Sequence, residues 1–204
     1  MNYDFDVIII GAGVVGLSIA YELSKKKKKT LILEKNKKFG LLNSTRNTEV
    51  IHAGIYYKSN TLKKKLCIEG KNKLYEFCNK YKIKYKKIGK LFLAQDLNDI
   101  SKLDLTFKAA ENNGINLQEI SEQKLKEIEP NVIGKMALFS DTTGIFDSYD
   151  FLEKLEFLFN DNGGIVAYNA PFYELEKIKE NYFTVLVGDK DKTVLNTKFI
   201  INCA

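Results

Sequence analysis

Arginine is almost missing from this chain of 204 residues: of its 32 basic side chains only Arg46 is arginine, and the rest are lysines. A formal net charge of +6 would ordinarily raise the question of a nucleic-acid partner. Readers of phosphates and base edges lean on the bidentate guanidinium group, and the lysines here are scattered rather than gathered on one face. The charge therefore reads as compositional drift, and no nucleic acid is expected. Three cysteines, Cys67, Cys78 and Cys203, form no C-x-x-C pair. Their number and spacing exclude a disulfide framework and a zinc site, so no metal is expected and the thiols read as small hydrophobes in a reducing compartment. Long hydrophobic runs are also absent. The apolar stretch from Val7 to Ala20 follows Asp4 and Asp6, where a secretory signal needs positive charge, and it is interrupted by glycines. No other segment is long enough to span a bilayer. Membrane association is not indicated, and the expected location is cytoplasmic.

What is present is ordinary for a globular chain: 45% hydrophobic and 28% charged residues. The length suffices for one large domain or two small ones and for a real core, which excludes a peptide hormone or disulfide miniprotein. Phe5–Ile10 is a β-branched run that reads as a strand buried on both faces. A helix follows at once, with Val14, Leu17, Ile19, Ala20, Tyr21 and Leu23 as its apolar face. The lysines 25–29 then read as its solvated end, where cations complement the helix dipole. Thr30–Leu33 is a second buried strand, which completes a βαβ unit.

Further along, Leu62–Tyr81 reads as a long helix with Leu66, Gly70, Leu74, Phe77, Cys78 and Tyr81 at spacings of three and four. Tyr85–Gln95 reads as strand, Ile100–Asn113 as helix, Ser121–Glu129 as a short capped helix stopped by Pro130, and Met136–Phe146 as strand and turn. The α/β rhythm then returns, with helix at Phe151–Phe159, a glycine cap at Gly163 and Gly164, and strand at Ile165–Tyr168. A hairpin is expected at Phe183–Val187 and Thr193–Leu195, and a last apolar strand at Lys198–Cys203. The fold class is thus α/β: a Rossmann-like dinucleotide domain at 1–82 and 149–204, interrupted by an α+β substrate segment at 83–148. A chain that stops at Ala204 on an uncapped apolar strand is expected to be the N-terminal part of a longer protein.

The chemistry begins at Gly11-Ala12-Gly13-Val14-Val15-Gly16, a G-x-G-x-x-G pattern set between strand and helix. Its glycines allow the tight turn, the approach of a pyrophosphate and close helix-strand packing, and the helix N-terminus offers N–H groups to phosphate. Glu34, at the end of the second strand, stands where a carboxylate accepts from a ribose 2′-hydroxyl. That acid disfavours a 2′-phosphate and hence NADP, and leaves FAD or NAD. The only arginine and the only histidine, Arg46 and His52, then fall within seven positions of each other, which favours a functional segment over a solvated loop.

These motifs resemble those of the FAD-dependent oxidoreductases of the D-amino-acid-oxidase superfamily, and within it the L-2-hydroxyglutarate dehydrogenase (oxidase) group. The resemblance covers essentially the whole chain. It rests on VIIIGAGVVGLSIAYEL with LILEK, on RNTEVIHAGIYY with LKKKLCIEG and LYEFC, on IGKLFLA at Ile88–Ala94, on IEP at Ile128–Pro130 and on TGIFDS at Thr143–Ser148. It implies that Gly11, Ala12, Gly13, Gly16, Glu34 and Lys35 bind the ADP half of FAD. It further implies that Thr45, Arg46 and Asn47 meet pyrophosphate or flavin, that Phe172 offers backbone to the adenine, and that Ala204 precedes a glycine turn against the cofactor. The implied reaction is oxidation of the CH–OH group of a small 2-hydroxy acid, with His52 as the base. Arg46 or Lys90 would then clamp a carboxylate, and Tyr56 and Tyr57 would donate hydrogen bonds. Alternatives are the same fold acting on an amino acid, a secondary amine or glycerol 3-phosphate, an NAD-dependent dehydrogenase, and an inactive fragment. The electron acceptor, oxygen or quinone, is left open.

Overall fold

A computed structural model of the protein describes residues 3–58, 60–179 and 182–204. In chain order the first half holds β1 (Phe5–Ile10), α1 (Val14–Lys25), β2 (Thr30–Leu33), a 3-10 turn at Asn43–Thr45, β3 (Val50–Ile51), α2 (Leu62–Tyr81), β4 (Tyr85–Lys86) and β5 (Lys90–Ala94). There follow α3 (Leu97–Asn112), β6 (Gln118–Ser121), α4 (Glu122–Ile128), β7 (Met136–Ser140), β8 (Gly144–Phe146) and α5 (Ser148–Asp161). The last strands are β9 (Ile165–Ala167), β10 (Phe172–Lys179), β11 (Tyr182–Val187) and β12 (Thr193–Asn202). Two compact units result: Met1–Asn47 with Ser148–Ala204, and Thr48–Asp147. The units divide at 47/48 and 147/148, one residue before the second expected boundary and 35 residues before the first. The reason is β3, whose Val50 and Ile51 pair antiparallel with Ile145 and Gly144 of β8 and so carry the following segment, α2 included, into the second unit.

The first unit is a six-stranded sheet in the order β10-β11-β12-β1-β2-β9. Its β12, β1, β2 and β9 run parallel, while β10, β11 and β12 form an antiparallel meander. Central β1 is covered on both faces, with Val7, Ile8 and Ile9 buried. Each such side chain contributes about 1.5–3 kcal/mol on burial. Leu17 and Ala20 of α1 are fully buried, whereas Val15 is exposed; α5 buries Leu152, Leu155 and Phe159 at helical spacing. Gly11 turns the chain from β1 into α1 with φ of +100°, and a Cβ on Gly16 would lie 2.0 Å from the Gly11 carbonyl oxygen. Helix and strand therefore approach as closely as the motif suggests. The lysine run ends α1 in a solvated turn, with Lys27 at φ of 54°.

Two expectations are corrected here. The second hairpin strand and the last apolar strand are one continuous β12, which pairs with β11 along its first half and with β1 along its second. Strand β10 was not expected at all: its FYELEKIK sequence carries charges at the sheet edge, where they blunt a free row of N–H and C=O groups.

The second unit holds two three-stranded sheets, β3-β8-β4 and β5-β7-β6, all antiparallel. Its core gathers Ala53, Ile55, Phe92, Ala94, Leu103, Ala110, Ile115, Leu117 and Leu138. Helix α2 has the expected bounds, capped by Thr61 accepting from the Lys64 N–H at 3.3 Å. Its buried side chains are Tyr75 and Cys78, and Leu66 of the expected stripe is exposed. Asp96 caps α3 and Ser121 caps α4 in the same way.

Candidate functional site

The first unit carries a cavity of about 340 Å³ at the carboxyl ends of β1, β2 and β12, the place where open α/β sheets bind ligands. Its walls include Ile10, Gly11 and Gly13 from the turn after β1, Leu33, Glu34, Lys35 and Asn36 from the end of β2, the segment 40–44, Pro171 with Phe172, and Cys203 with Ala204. Of the residues read from the sequence, Gly11, Gly13, Glu34, Lys35, Phe172 and Ala204 are thereby brought together. Ala12 is fully buried and Gly16 lies behind the wall, packed on Gly11.

Glu34 is the electrostatic centre of this cavity. Its carboxylate is buried and accepts from the Ala12 N–H at 2.8 Å, the Asn36 N–H at 2.9 Å and the Asn36 side-chain amide at 2.7 Å. Three donors fix the plane of an acid with about four lone-pair positions, which leaves acceptor capacity for a ligand hydroxyl. At the other end, α1 begins at Gly13 with no side-chain cap there and no acidic residue in its first turn, as an anion-binding helix terminus requires. Burial pushes the Cys203 thiol up from its ordinary value, so the cavity wall there carries a neutral thiol.

Thr45, Arg46 and Asn47 do not line the cavity. The Thr45 hydroxyl donates to the Gly40 carbonyl at 2.6 Å, and the Asn47 amide donates to the carbonyls of Asn43 and Ser44. Their polar groups close the 3-10 turn, and Arg46 lies exposed at its end. Sequence reasoning missed Asn36 and the stretch 40–44. Ser44 accepts from the Val14 N–H at 3.0 Å across 30 residues, and no local pattern announces so distant a partner. Asn36 had a local signal, an amide two residues after an acid. Beneath this wall, burial and a 2.5 Å hydrogen bond to Glu156 push Tyr168 far above the ordinary phenol value, so it stays a donor at all working pH.

In the second unit, His52, Tyr56, Tyr57, Lys90, Phe92 and Thr143 surround a cleft of about 20 Å³. That is room for about one water, so these side chains form a wall. His52 and Tyr56 are exposed. The Lys90 ammonium lies 5.0 Å from the Tyr56 ring centre and 5.1 Å from that of Phe92, held by two aromatic faces. No cluster of metal-ligating side chains occurs among the described residues.

Against known proteins, residues 6–204 match the family model described as DAO: FAD dependent oxidoreductase. The mitochondrial L-2-hydroxyglutarate dehydrogenase of Caenorhabditis briggsae is 37% identical over 205 residues, covering 98% of this chain and 47% of that protein. A glycerol 3-phosphate dehydrogenase of Caloramator mitchellensis is 34% identical over 203 residues, covering 98% and 42%. Among solved structures, the FAD-bound L-α-glycerophosphate oxidase of Mycoplasma pneumoniae superposes with a TM-score of 0.88 at 26% identity, covering 96% of this chain and 53% of its own. The chain thus spans about half the length of these relatives.

These comparisons overturn the cytoplasmic location, since the hydroxyglutarate dehydrogenases it resembles are named as mitochondrial. Few cysteines and an interrupted apolar stretch speak to redox state and to fold, and neither encodes an organelle. Among the described residues no helix is long and apolar enough to cross a membrane. The nicotinamide alternative closes as well: the glycine turn, Glu34 and the match over nearly the whole chain make this protein a member of the FAD-dependent oxidoreductase (DAO) family, with FAD as its cofactor.

Proposed function

We propose that this chain belongs to an enzyme that oxidises the CH–OH group of a small 2-hydroxy acid, L-2-hydroxyglutarate giving 2-oxoglutarate. The observation that carries the reading is identity of 37% to a protein of that name, sustained over 98% of the chain and therefore through the second unit, where His52, Tyr57 and Lys90 lie. FAD, when bound, supplies the acceptor for the two electrons leaving the carbinol carbon.

The remaining work falls to the chain. The backbone at Gly11 and Gly13 and the start of α1 face the pyrophosphate, Glu34 accepts from the ribose, Lys35 sits beside it, and Phe172 borders the adenine. Ala12 and Gly16 act from behind the wall, by holding Glu34 and by setting the approach of α1. Ala204, two residues past β12, borders the cavity. Thr45 and Asn47 hold the turn that presents Arg46 to an anionic group. His52 takes the hydroxyl proton as the carbinol is oxidised. The ammonium of Lys90 pairs with a substrate carboxylate, and Tyr57 donates a hydrogen bond to it.

Glycerol 3-phosphate is a second reading. It is favoured by the Caloramator mitchellensis relative at 34% identity and by the glycerophosphate oxidase structure. Anaerobic mixing of the full-length protein with L-2-hydroxyglutarate, its D-enantiomer, glycerol 3-phosphate, glycine and sarcosine separates the readings. Loss of the visible flavin absorbance with L-2-hydroxyglutarate supports the first. Bleaching by glycerol 3-phosphate alone replaces it with the second.

A further inference from the structure

The wall of the second unit has a buried stretch, Ala53 to Ile55, between exposed His52 and Tyr56. Ala53 and Ile55 point into the core, while His52 and Tyr56 point outward, so the segment 52–57 displays its polar side chains from an anchored backbone. One anchor comes from far away in sequence. Asn113, the residue that ends α3, is 7% exposed, and its side-chain amide donates to the Tyr57 carbonyl at 2.9 Å and to the Ile55 carbonyl at 3.5 Å. Both acceptors are carbonyl oxygens, which assigns the NH2 end of the amide to this bracket. A helix-ending asparagine ordinarily serves its own helix. Here Gly114, at φ of +68°, takes the left-handed turn, while the Asn113 backbone N–H stays with the Ala110 carbonyl. The side-chain amide reaches across 56 to 58 residues.

The two bracketed carbonyls flank Tyr56. Fixing the backbone on both sides of that residue fixes where its ring lies, edge-on to Phe92 with centres 5.3 Å apart. The same ring is one of the two faces that hold the Lys90 ammonium. A short line of contacts therefore runs from a buried amide, through one peptide segment and one ring, to the cation of this wall.

We propose that Asn113 is a positioning residue for the substrate: its amide bracket on the Ile55 and Tyr57 carbonyls holds Tyr56, and through Tyr56 the Lys90 ammonium, where an anionic group of the substrate binds. This rests on the functional reading above in needing an anionic substrate, which L-2-hydroxyglutarate and glycerol 3-phosphate both are, and in needing the Lys90 ammonium to meet it, which the Lys90→Met background tests separately.

The test uses the full-length, flavin-loaded protein with whichever substrate bleaches the wild type, so a wild type reduced by no anionic substrate sinks the functional reading separately. Asn113→Ala is expected to raise KM about tenfold, the worth of one buried hydrogen bond, with kcat changed by less than about threefold and flavin content unchanged. Asn113→Ser, which keeps one donor, is expected to fall between. In a Lys90→Met background the same Asn113→Ala change is expected to raise KM less than about twofold, because residues acting through one another are not additive. An unchanged KM in Asn113→Ala overturns the proposal. So does a tenfold effect that survives intact in Lys90→Met. Loss of soluble, flavin-bearing protein in both the Ala and the Ser variants also overturns it, since Asn113 would then serve the fold and not the site.

Discussion

Adding one methyl group at Gly16 puts the strand-helix junction to a direct test. In Gly16→Ala the new Cβ would lie 2.0 Å from the Gly11 carbonyl oxygen and 3.2 Å from its carbon. Real Cβ atoms essentially never approach below 3.0 Å, so one partner must retreat by about 1 Å. The obstacle is backbone, held on one side by the Gly11 N–H bond to the Leu33 carbonyl at 2.8 Å and on the other by the α1 helix, so no side chain can swing aside. Overpacking of this kind costs about 1–3 kcal/mol, and a rigid obstacle puts it near 3. At roughly 2–4 °C per kcal/mol for a chain of this size, the melting point is expected to fall by about 6–12 °C. Retreat of α1 also draws its first N–H groups away from the cavity, so flavin affinity falls with it. Thermal unfolding followed by circular dichroism, with flavin release recorded on the same sample, measures both. A variant that melts within about 2 °C of the wild type would refute the reasoning. Gly13→Ala is the control: its Cβ meets only the Ser44 hydroxyl, at 3.1 Å, a side-chain group that need give only a few tenths of an ångström while still accepting from the Val14 N–H. It is expected to keep stability within about 1 kcal/mol while weakening flavin binding, because Gly13 lines the cavity.

Three further outcomes are expected. Glu34→Ala removes a buried acceptor and should raise the dissociation constant for FAD about 10- to 100-fold, on the scale of a hydrogen bond to a charged group; titration of the apoprotein by flavin fluorescence reads this, and an unchanged constant would remove Glu34 from the binding set. His52→Asn should retain flavin and lower kcat by about 10²–10⁴, as seen by rapid-mixing flavin reduction; near-normal turnover would end its role as base. The Lys29 N–H and the Lys198 ammonium hold the Asp6 carboxyl below its ordinary value. A depressed folded-state pKa adds stability that is full above the unfolded value of about 3.9 and is lost as pH falls through the folded one. Asp6→Asn should therefore lower the melting point at neutral pH and flatten its fall below about pH 4; equal acid slopes in both proteins would contradict this.

Much of this architecture is legible in the residues, for reasons that differ from element to element. FDVIII and TLIL announce buried parallel strands because neither face meets water, and the glycines between β1 and α1 have a geometric necessity that the 2.0 Å approach at Gly16 makes concrete. The apolar spacing of three and four bounds helix α2 at Leu62–Tyr81 and includes the buried Cys78, but the unit also buries Tyr75, outside that stripe, and leaves Leu66 exposed. Strand β10 was illegible because an edge strand with Glu174, Glu176 and neighbouring lysines lacks the apolar alternation that betrays a half-buried one. The boundary at residue 47 was hidden for another reason: nothing in the local sequence records that Val50 pairs with Ile145, 95 residues away. In the cavity, the turn and the acid were readable and the 40–44 wall was not, since Ser44 acts through a partner on a different element.

The place of β12 in the sheet has a consequence for how the protein comes into being. β1 is synthesised well over 150 residues ahead of the strand that covers one of its edges, β12, with Val7 beside Phe199 and Ile9 beside Ile201. At translation rates of about 5–20 residues per second, roughly 10–40 s pass between emergence of the two. During that interval an uncharged Val-Ile-Ile-Ile edge stands open in the growing chain, with the high β-propensity and low charge of segments that pair with the wrong neighbour. Success in making this protein is thus set by how well that edge is shielded in the interval between the two strands, and slower translation or scarce chaperone is expected to lower the yield of soluble protein before any difference in final stability is felt.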